Sequence, residues 1–390
     1  MTQRLIVHIG PRKTGTTYLQ RVLQQLSPTL ADAGVLYPTD FRGGDDYNHV
    51  SAVTDLTVAT EATANGRWSS RDGSAWIGLQ QAIASWDGTA IVSAEMLGGL
   101  RPDAAAAFLD GLPSDQVDVI ITMRDLARIL PSSWQQHVRN THTEDYRHYL
   151  RRRGRQRGKV PPIERQPVWD TQRNLTFWRS YAYGALVRRW AALVGLDHVR
   201  VVTLPPAGSG SSTLWERFIA AVDVDELPAT APTLENFIAN IGSTAEEAAF
   251  LHAFNIEAAS RGWNRHQTNA EQQRLLSTGF LDREDRGQPL RLPADFVDIV
   301  RGWADADRAD LQSTQVAIFG DLSDLEIPAD TPVMGELDPD KVAAAGAFAL
   351  LEKLEKPGRR VNSRKGGQRR VPRPVRKALQ KARRSAKRLR

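Results

Sequence analysis

The sequence predicts an α/β fold: a doubly wound parallel sheet flanked by helices, with a mainly helical second half and a basic C-terminal tail. Three observations lead there. Short, continuous apolar runs alternate with helical patterns as far as Leu204. Beyond Leu204 the strand signals fade while helical periodicity continues. The last residues of the chain are crowded with Lys and Arg.

The first strand is the run Leu5 to Ile9, followed by the loop Gly10-Pro11-Arg12-Lys13-Thr14-Gly15-Thr16-Thr17 and a helical pattern from about 16 to 26. Further runs at Ala90 to Val92, Val117 to Met123 and Val199 to Leu204 are apolar without alternation, as strands covered on both faces are. Helical patterns near 75 to 86, 103 to 110, 126 to 150 and 177 to 194 lie between or beside them, the order expected of a doubly wound sheet. Helices near 211 to 222, 244 to 259 and 294 to 313 make up the second half. Arg151 to Arg165 is basic, contains Pro161-Pro162 and has no periodicity, so it reads as an exposed loop.

The domain boundaries expected are 1–325 for the α/β unit, with 205–325 its helical part, and 326–355 for a linker with a short helix from Pro339 to Glu355. The tail occupies 356–390. There Val375, Leu379, Ala382, Ala386 and Leu389 form a thin stripe at helical spacing, so the tail is expected to be disordered, or helical only against a partner surface.

Composition narrows the function. The tail holds sixteen of the 51 Lys and Arg and none of the 45 Asp and Glu, so the net charge of +6 hides an acidic body. Only the tail invites a polyanion or an anionic membrane. With no cysteine, disulfides, thiol catalysis and thiolate zinc sites are excluded, which fits a reducing, cytoplasmic compartment. Residues 1–26 contain no signal-peptide h-region, and no stretch approaches the about 20 apolar residues of a membrane span. The tail adds the expectation of peripheral contact at the inner membrane surface.

The loop after the first strand carries the first chemical signal. A buried strand, a glycine-containing turn and a helix start present backbone N–H groups and the positive end of a helix dipole to an anion. This makes the fold P-loop-type. The pattern G-x-x-x-x-G-K-[ST] of nucleotide triphosphatases is not met, because Lys13 precedes Gly15 instead of following it. A displaced lysine points to transfer of a different group.

The second signal follows the strand Val117 to Met123, where Arg124 stands at the strand end and Ser132 two helical turns later. Strand C-terminal ends are where open α/β sheets bind ligands, so these residues and the Lys13 loop are expected to face one crevice. A guanidinium offers a phosphate a fork of donors and a permanent charge. Ser133 competes with Ser132 for that role.

Together, His8-Ile9-Gly10 with Lys13-Thr14-Gly15-Thr16-Thr17-Tyr18-Leu19-Gln20, and the later arginine and serine, resemble the sulfotransferase family that uses 3′-phosphoadenosine 5′-phosphosulfate. The resemblance covers roughly residues 1–325. It is most similar to a bacterial branch, which also shows segments like Gly34-Val35-Leu36-Tyr37-Pro38 and Ser93-Ala94-Glu95, and a Trp190-containing helix. By this resemblance Lys13, Thr14, Gly15, Thr16 and Thr17, with Arg12 in the same loop, bind the phosphosulfate, while Arg124 and Ser132 hold the 3′-phosphate. The late Arg-Lys-Gly motif of the cytosolic branch has only a chance match in Arg364-Lys365-Gly366-Gly367, within the tail.

The implied reaction is in-line transfer of a sulfuryl group to a hydroxyl or amine, in bacterial relatives often of a carbohydrate or glycolipid. The terminal sulfate carries one negative charge, so Lys13 suffices to stabilise the leaving phosphate and no metal is demanded. A base must take the acceptor's proton, and two residues present themselves: His49, in a loop after the first helix, and Glu95, at the end of a strand. His8 and His137 read as structural residues, and the ten tryptophans as mainly core. No metal-ligand spacing and no G-x-S-x-G elbow occur. Two other readings stand beside this one: a P-loop phosphotransferase or nucleotide hydrolase, with Glu95 and Thr16 or Thr17 around magnesium, and a polyanion or membrane binder acting through the tail, which otherwise is only a solubilising terminus.

Overall fold

A computed structural model describes residues 2–42, 46–65, 73–159, 176–206, 208–209, 211–225, 227–234, 242–277 and 283–355. The expectations for the tail 356–390, including its helical stripe, and for Trp169 and Pro161-Pro162 lie outside the described residues.

Six parallel strands form one sheet in the order β2-β3-β1-β4-β5-β6: β1 Thr2–His8, β2 Val35–Leu36, β3 Thr89–Ser93, β4 Ser114–Met123, β5 Val199–Thr203 and β6 Ala317–Phe319. Strand alternation explains the unbroken apolar runs. Leu5, Val7 and Ile9 face a large core with Val92, Val119 and Ile121, whereas Ile6 joins Ile91, Ile120 and Val202 in a second core on the other face. The second core is closed by α1 (Thr16–Gln25), through Leu19, Val22 and Leu23, and by the helix Ser211–Val222, through Trp215 and Phe218. A residue with no solvent-facing side in either direction is favoured to be apolar unless its polar atoms are hydrogen-bonded.

After β1 the chain builds β2 and β3 on one side, then crosses to place β4 on the other. The C-terminal ends of β1 and β4 therefore lie side by side at the topological switch point, where α/β sheets open a crevice.

Helices α2 (Ser27–Asp32), α3 (Val50–Asn65), α4 (Ser74–Ala84) and α5 (Pro102–Asp110) follow α1 in the chain, and beyond them three helix expectations change. The pattern from 126 to 150 is two helices, α6 (Leu126–Arg139) and α7 (Tyr146–Arg157). Between them Thr141 takes a left-handed φ of 69°, and the Asp145 side chain accepts from His148 N–H (3.0 Å) to start α7. Arg151 to Arg157 is the second half of α7, not a loop, because its arginines find partners far away in sequence: Arg153 lies over the rings of Tyr149 and Phe177, and Arg157 pairs with buried Asp307 at 2.6 Å. The pattern from 177 to 194 breaks at Ala182 into Thr176–Tyr181 and Tyr183–Val194. β2 and β6, of two and three residues, are too short to leave a periodic signal. The helix Pro339–Glu355 is present and packs Ala345 and Ala349 beside Leu275 and Phe250. No helix among the described residues is long and apolar enough to cross a membrane.

Candidate active site

The loop leaving β1 turns three times through positive φ, at Gly10 (75°), Lys13 (68°) and Gly15 (80°). A Cβ on Gly10 would stand 2.9 Å from Cα of Glu95, so that position needs glycine for space as well as conformation, while Gly15 needs it for its positive φ. Lys13 has no such freedom and is held in a costly left-handed conformation, of a kind that collects at binding loops. Arg124 Nη1 donates to the Lys13 carbonyl (3.1 Å) and Tyr181 Oη to the Arg12 carbonyl (2.8 Å), and both brace this turn. Gly15 caps α1 with no side chain, so the first-turn N–H groups of Thr16 and Thr17 face the crevice.

A cleft of about 510 Å³ opens there, of the size of small-ligand sites. Its lining includes Arg12, Lys13, Gly15, Thr16 and Thr17 from the loop and Glu95 from the end of β3. From β4 and α6 come Arg124, Ser132, Gln135, Gln136 and Arg139. The last four recur at helical spacing on one face of α6, while Ile129, Leu130, Trp134 and Val138 bury the opposite face. Thus residues about 110 positions apart in sequence meet around one space.

The electrostatics favour an anion. Among the described residues of the lining, four cationic side chains face a single carboxylate. Burial, followed by the nearby charges of Arg139, Arg12 and Arg124, pushes the Lys13 ammonium down to about 8, with Glu95 acting in the opposite sense. Lys13 Nζ donates to Gln136 Oε1 (3.2 Å). Burial also lowers Arg124 to about 10. The Nε atoms of Arg124 and Arg139 are buried without a hydrogen-bond partner among the described residues, which is costly for a cation unless an acceptor completes it. Arg12 Nε stands 4.0 Å from Glu95 Oε1.

Two expected site residues take other places. His49 is fully buried outside the cleft lining: its Nδ1 accepts from Ser93 N–H (2.9 Å), its Nε2 donates to the Pro38 carbonyl (2.9 Å), and its ring packs on Phe41 and Tyr37. Burial lowers it to about 4. With both nitrogens engaged beneath aromatic rings it ties the end of β3 to the segment after β2, and the expectation of His49 as base is corrected. Thr14 is likewise fully buried, its hydroxyl donating to the Pro11 carbonyl and meeting Thr122 Oγ1 at 2.7 Å, so its side chain supports the loop from below instead of lining the cleft. Ser132 lines the cleft, whereas Ser133 is not among its lining residues. Tyr18, Gln135, Gln136, Arg139 and Gly242 complete the lining and were not anticipated. The α6 set could have been found by extending helical spacing from Ser132. Gly242 had no local signal.

No protein-family model matches this chain, and no curated protein matches it significantly. Among solved structures, the chain is similar to a sulfotransferase from Alicyclobacillus acidocaldarius, with 14% identity and a TM-score of 0.33, over 79% of this chain and 94% of that one. Among the described residues no group of three or more His, Asp or Glu side chains is placed to hold a metal ion.

Proposed function

We propose that this protein is a transferase that moves a sulfuryl group from 3′-phosphoadenosine 5′-phosphosulfate to a hydroxyl or amine acceptor. One observation carries the reading: the Lys13 loop and the Arg124–Ser132 pair, the two motifs of the sequence resemblance, line one cationic cleft at the switch point of the sheet.

The 5′-phosphosulfate lies against the N–H groups of the loop and of Thr16 and Thr17, with Lys13 Nζ beside the bridging oxygen. Arg124 and Ser132 take the 3′-phosphate, which supplies the acceptor that Arg124 Nε lacks among the described residues. The acceptor oxygen attacks sulfur in line as the bond from sulfur to the bridging oxygen breaks. The electron pair stays on the departing 5′-phosphate, where Lys13 meets the developing charge. The acceptor's proton passes to Glu95, the one carboxylate of the lining among the described residues. Carbohydrate and glycolipid hydroxyls are the acceptor classes proposed. The basic segment 356–390 is proposed to contact an anionic membrane or polymer, and truncation after Glu355 followed by sedimentation with anionic vesicles checks that role.

The deciding experiment is calorimetric titration with 3′-phosphoadenosine 5′-phosphate (PAP), with adenosine 5′-phosphate, and with ATP and magnesium. Preference for PAP supports the proposal. Tight binding of magnesium ATP without a preference for PAP would replace it with a phosphotransferase or hydrolase.

A further inference from the structure

Beneath the cleft, three neighbouring strand ends carry polar side chains that are completely buried: His8 at the end of β1, Ser93 at the end of β3 and Thr122 near the end of β4. Buried polar groups in a sheet core are retained only when hydrogen-bonded. His8 Nδ1 meets Ser93 Oγ at 2.8 Å, and His8 Nε2 meets Thr122 Oγ1 at 3.3 Å. Thr122 Oγ1 continues to Thr14 Oγ1, and Thr14 to the Pro11 carbonyl in the anion loop. In the other direction Gln20 Nε2 reaches both Ser93 Oγ (3.1 Å) and Glu95 Oε2 (3.4 Å).

Counting donors orients every link. A carbonyl only accepts, so the single hydroxyl proton of Thr14 goes to Pro11. Thr122 must then donate to Thr14, which leaves its oxygen to accept from His8 Nε2–H. His8 Nδ1 is consequently bare and accepts the proton of Ser93. The oxygen of Ser93 accepts from the Gln20 amide, whose second proton points at the Glu95 carboxylate. With the Thr14 proton on Pro11, turning Thr122 toward His8 would leave the Thr122 and Thr14 oxygens 2.7 Å apart with no proton between them. Burial, which pushes His8 down to about 3, keeps the ring neutral as this order requires.

We propose that His8 is a positioning residue of the transfer site: as its Nε2–H tautomer it is the central link of an oriented hydrogen-bond chain from the Glu95 carboxylate to the Pro11 carbonyl of the anion loop. The chain couples the side of the cleft that receives the acceptor's proton to the side that holds the donor. Its end points take their roles from the function proposed above, whereas the tautomer and the chain itself do not.

The test uses the full chain labelled with ¹⁵N-histidine. Two-bond proton–nitrogen spectra of the wild type should show His8 as Nε2–H and unchanged between pH 5 and about 8. Addition of PAP should shift the His8 nitrogens, and Thr122→Val should abolish that response while PAP still binds. Glu95→Gln should shift Nδ1 in the wild-type background and leave it unmoved when combined with Ser93→Ala. An Nδ1–H or charged His8 overturns the proposal, and this is read in the wild type even if a variant fails to fold. Undiminished responses in Thr122→Val and in the Ser93→Ala background would also overturn it. Absence of PAP binding to the wild type counts against the proposed function and leaves the tautomer result to stand on its own.

Discussion

Arg124 provides the sharpest test of the donor, because its contribution to the 3′-phosphate can be separated from its contribution to the loop. The side chain is largely buried, its Nη1 supports the Lys13 carbonyl at 3.1 Å and its Nε has no partner among the described residues. Arg124→Ala removes both effects. Loss of the support disturbs the loop whichever nucleotide is bound, and a single hydrogen bond of this kind contributes about 0.5–1.5 kcal/mol. Loss of a charge-assisted contact to a phosphate affects only ligands that carry that phosphate, by about 1.5–3 kcal/mol. A cycle crossing Arg124→Ala with removal of the 3′-phosphate cancels the first term and isolates the second. Calorimetry should show PAP weakened about 10- to 150-fold more than adenosine 5′-phosphate. Equal weakening of the two ligands, a coupling within about 0.5 kcal/mol of zero, would show that Arg124 only braces the loop, and the assignment of the 3′-phosphate would be wrong.

Lys13→Ala should lower turnover, read as release of PAP from the donor, about 10²- to 10³-fold, as loss of one donor to a developing oxyanion does, while PAP binding weakens by less than about tenfold. Glu95→Gln should lower turnover about 100-fold and leave PAP binding unchanged or tighter, since it removes the carboxylate that opposes the cleft's cations. Because Lys13 is lowered to about 8, PAP affinity should fall as pH rises through that value, and binding near pH 8 should take up protons, detectable by calorimetry in buffers of different ionisation enthalpy. Constant affinity and no proton uptake from pH 7 to about 9 would remove Lys13 from the anion site. His49 and His8 are held neutral by burial, so the unfolded chain binds more protons than the folded one below about pH 6.5, and stability should fall with acidification through that region toward the lowered values. His49→Ala should cost about 2–4 kcal/mol in denaturant unfolding and make this slope shallower, with turnover retained.

The parts of the site that were legible in the sequence are those where one local segment does the whole task. Leu5 to Ile9 followed by Gly10 to Thr17 states a strand, a turn and a helix start in consecutive residues, and the turn has few ways to fold that keep Gly10 and Gly15 necessary. Arg124 and Ser132 could be paired because strand end and helix face are both local periodicities. The same logic failed for α7, whose arginines are helical through contacts with Phe177 and Asp307, residues that no local window contains.

Sequence alone determined that alternating strands and helices would place the Lys13 loop and Arg124 at one edge of a parallel sheet, since chain connectivity and strand direction leave little other arrangement. Tertiary structure decided which side chains face the cleft. His49 is drawn under Tyr37 and Phe41 and its nitrogens are spent on Ser93 and Pro38, Thr14 turns inward to Thr122, and Arg139 enters the cleft from the last turn of α6. Burial and hydrogen-bond partners come from segments distant in sequence, so a side chain's accessibility, and with it its protonation and its chemistry, is a property of the packed molecule.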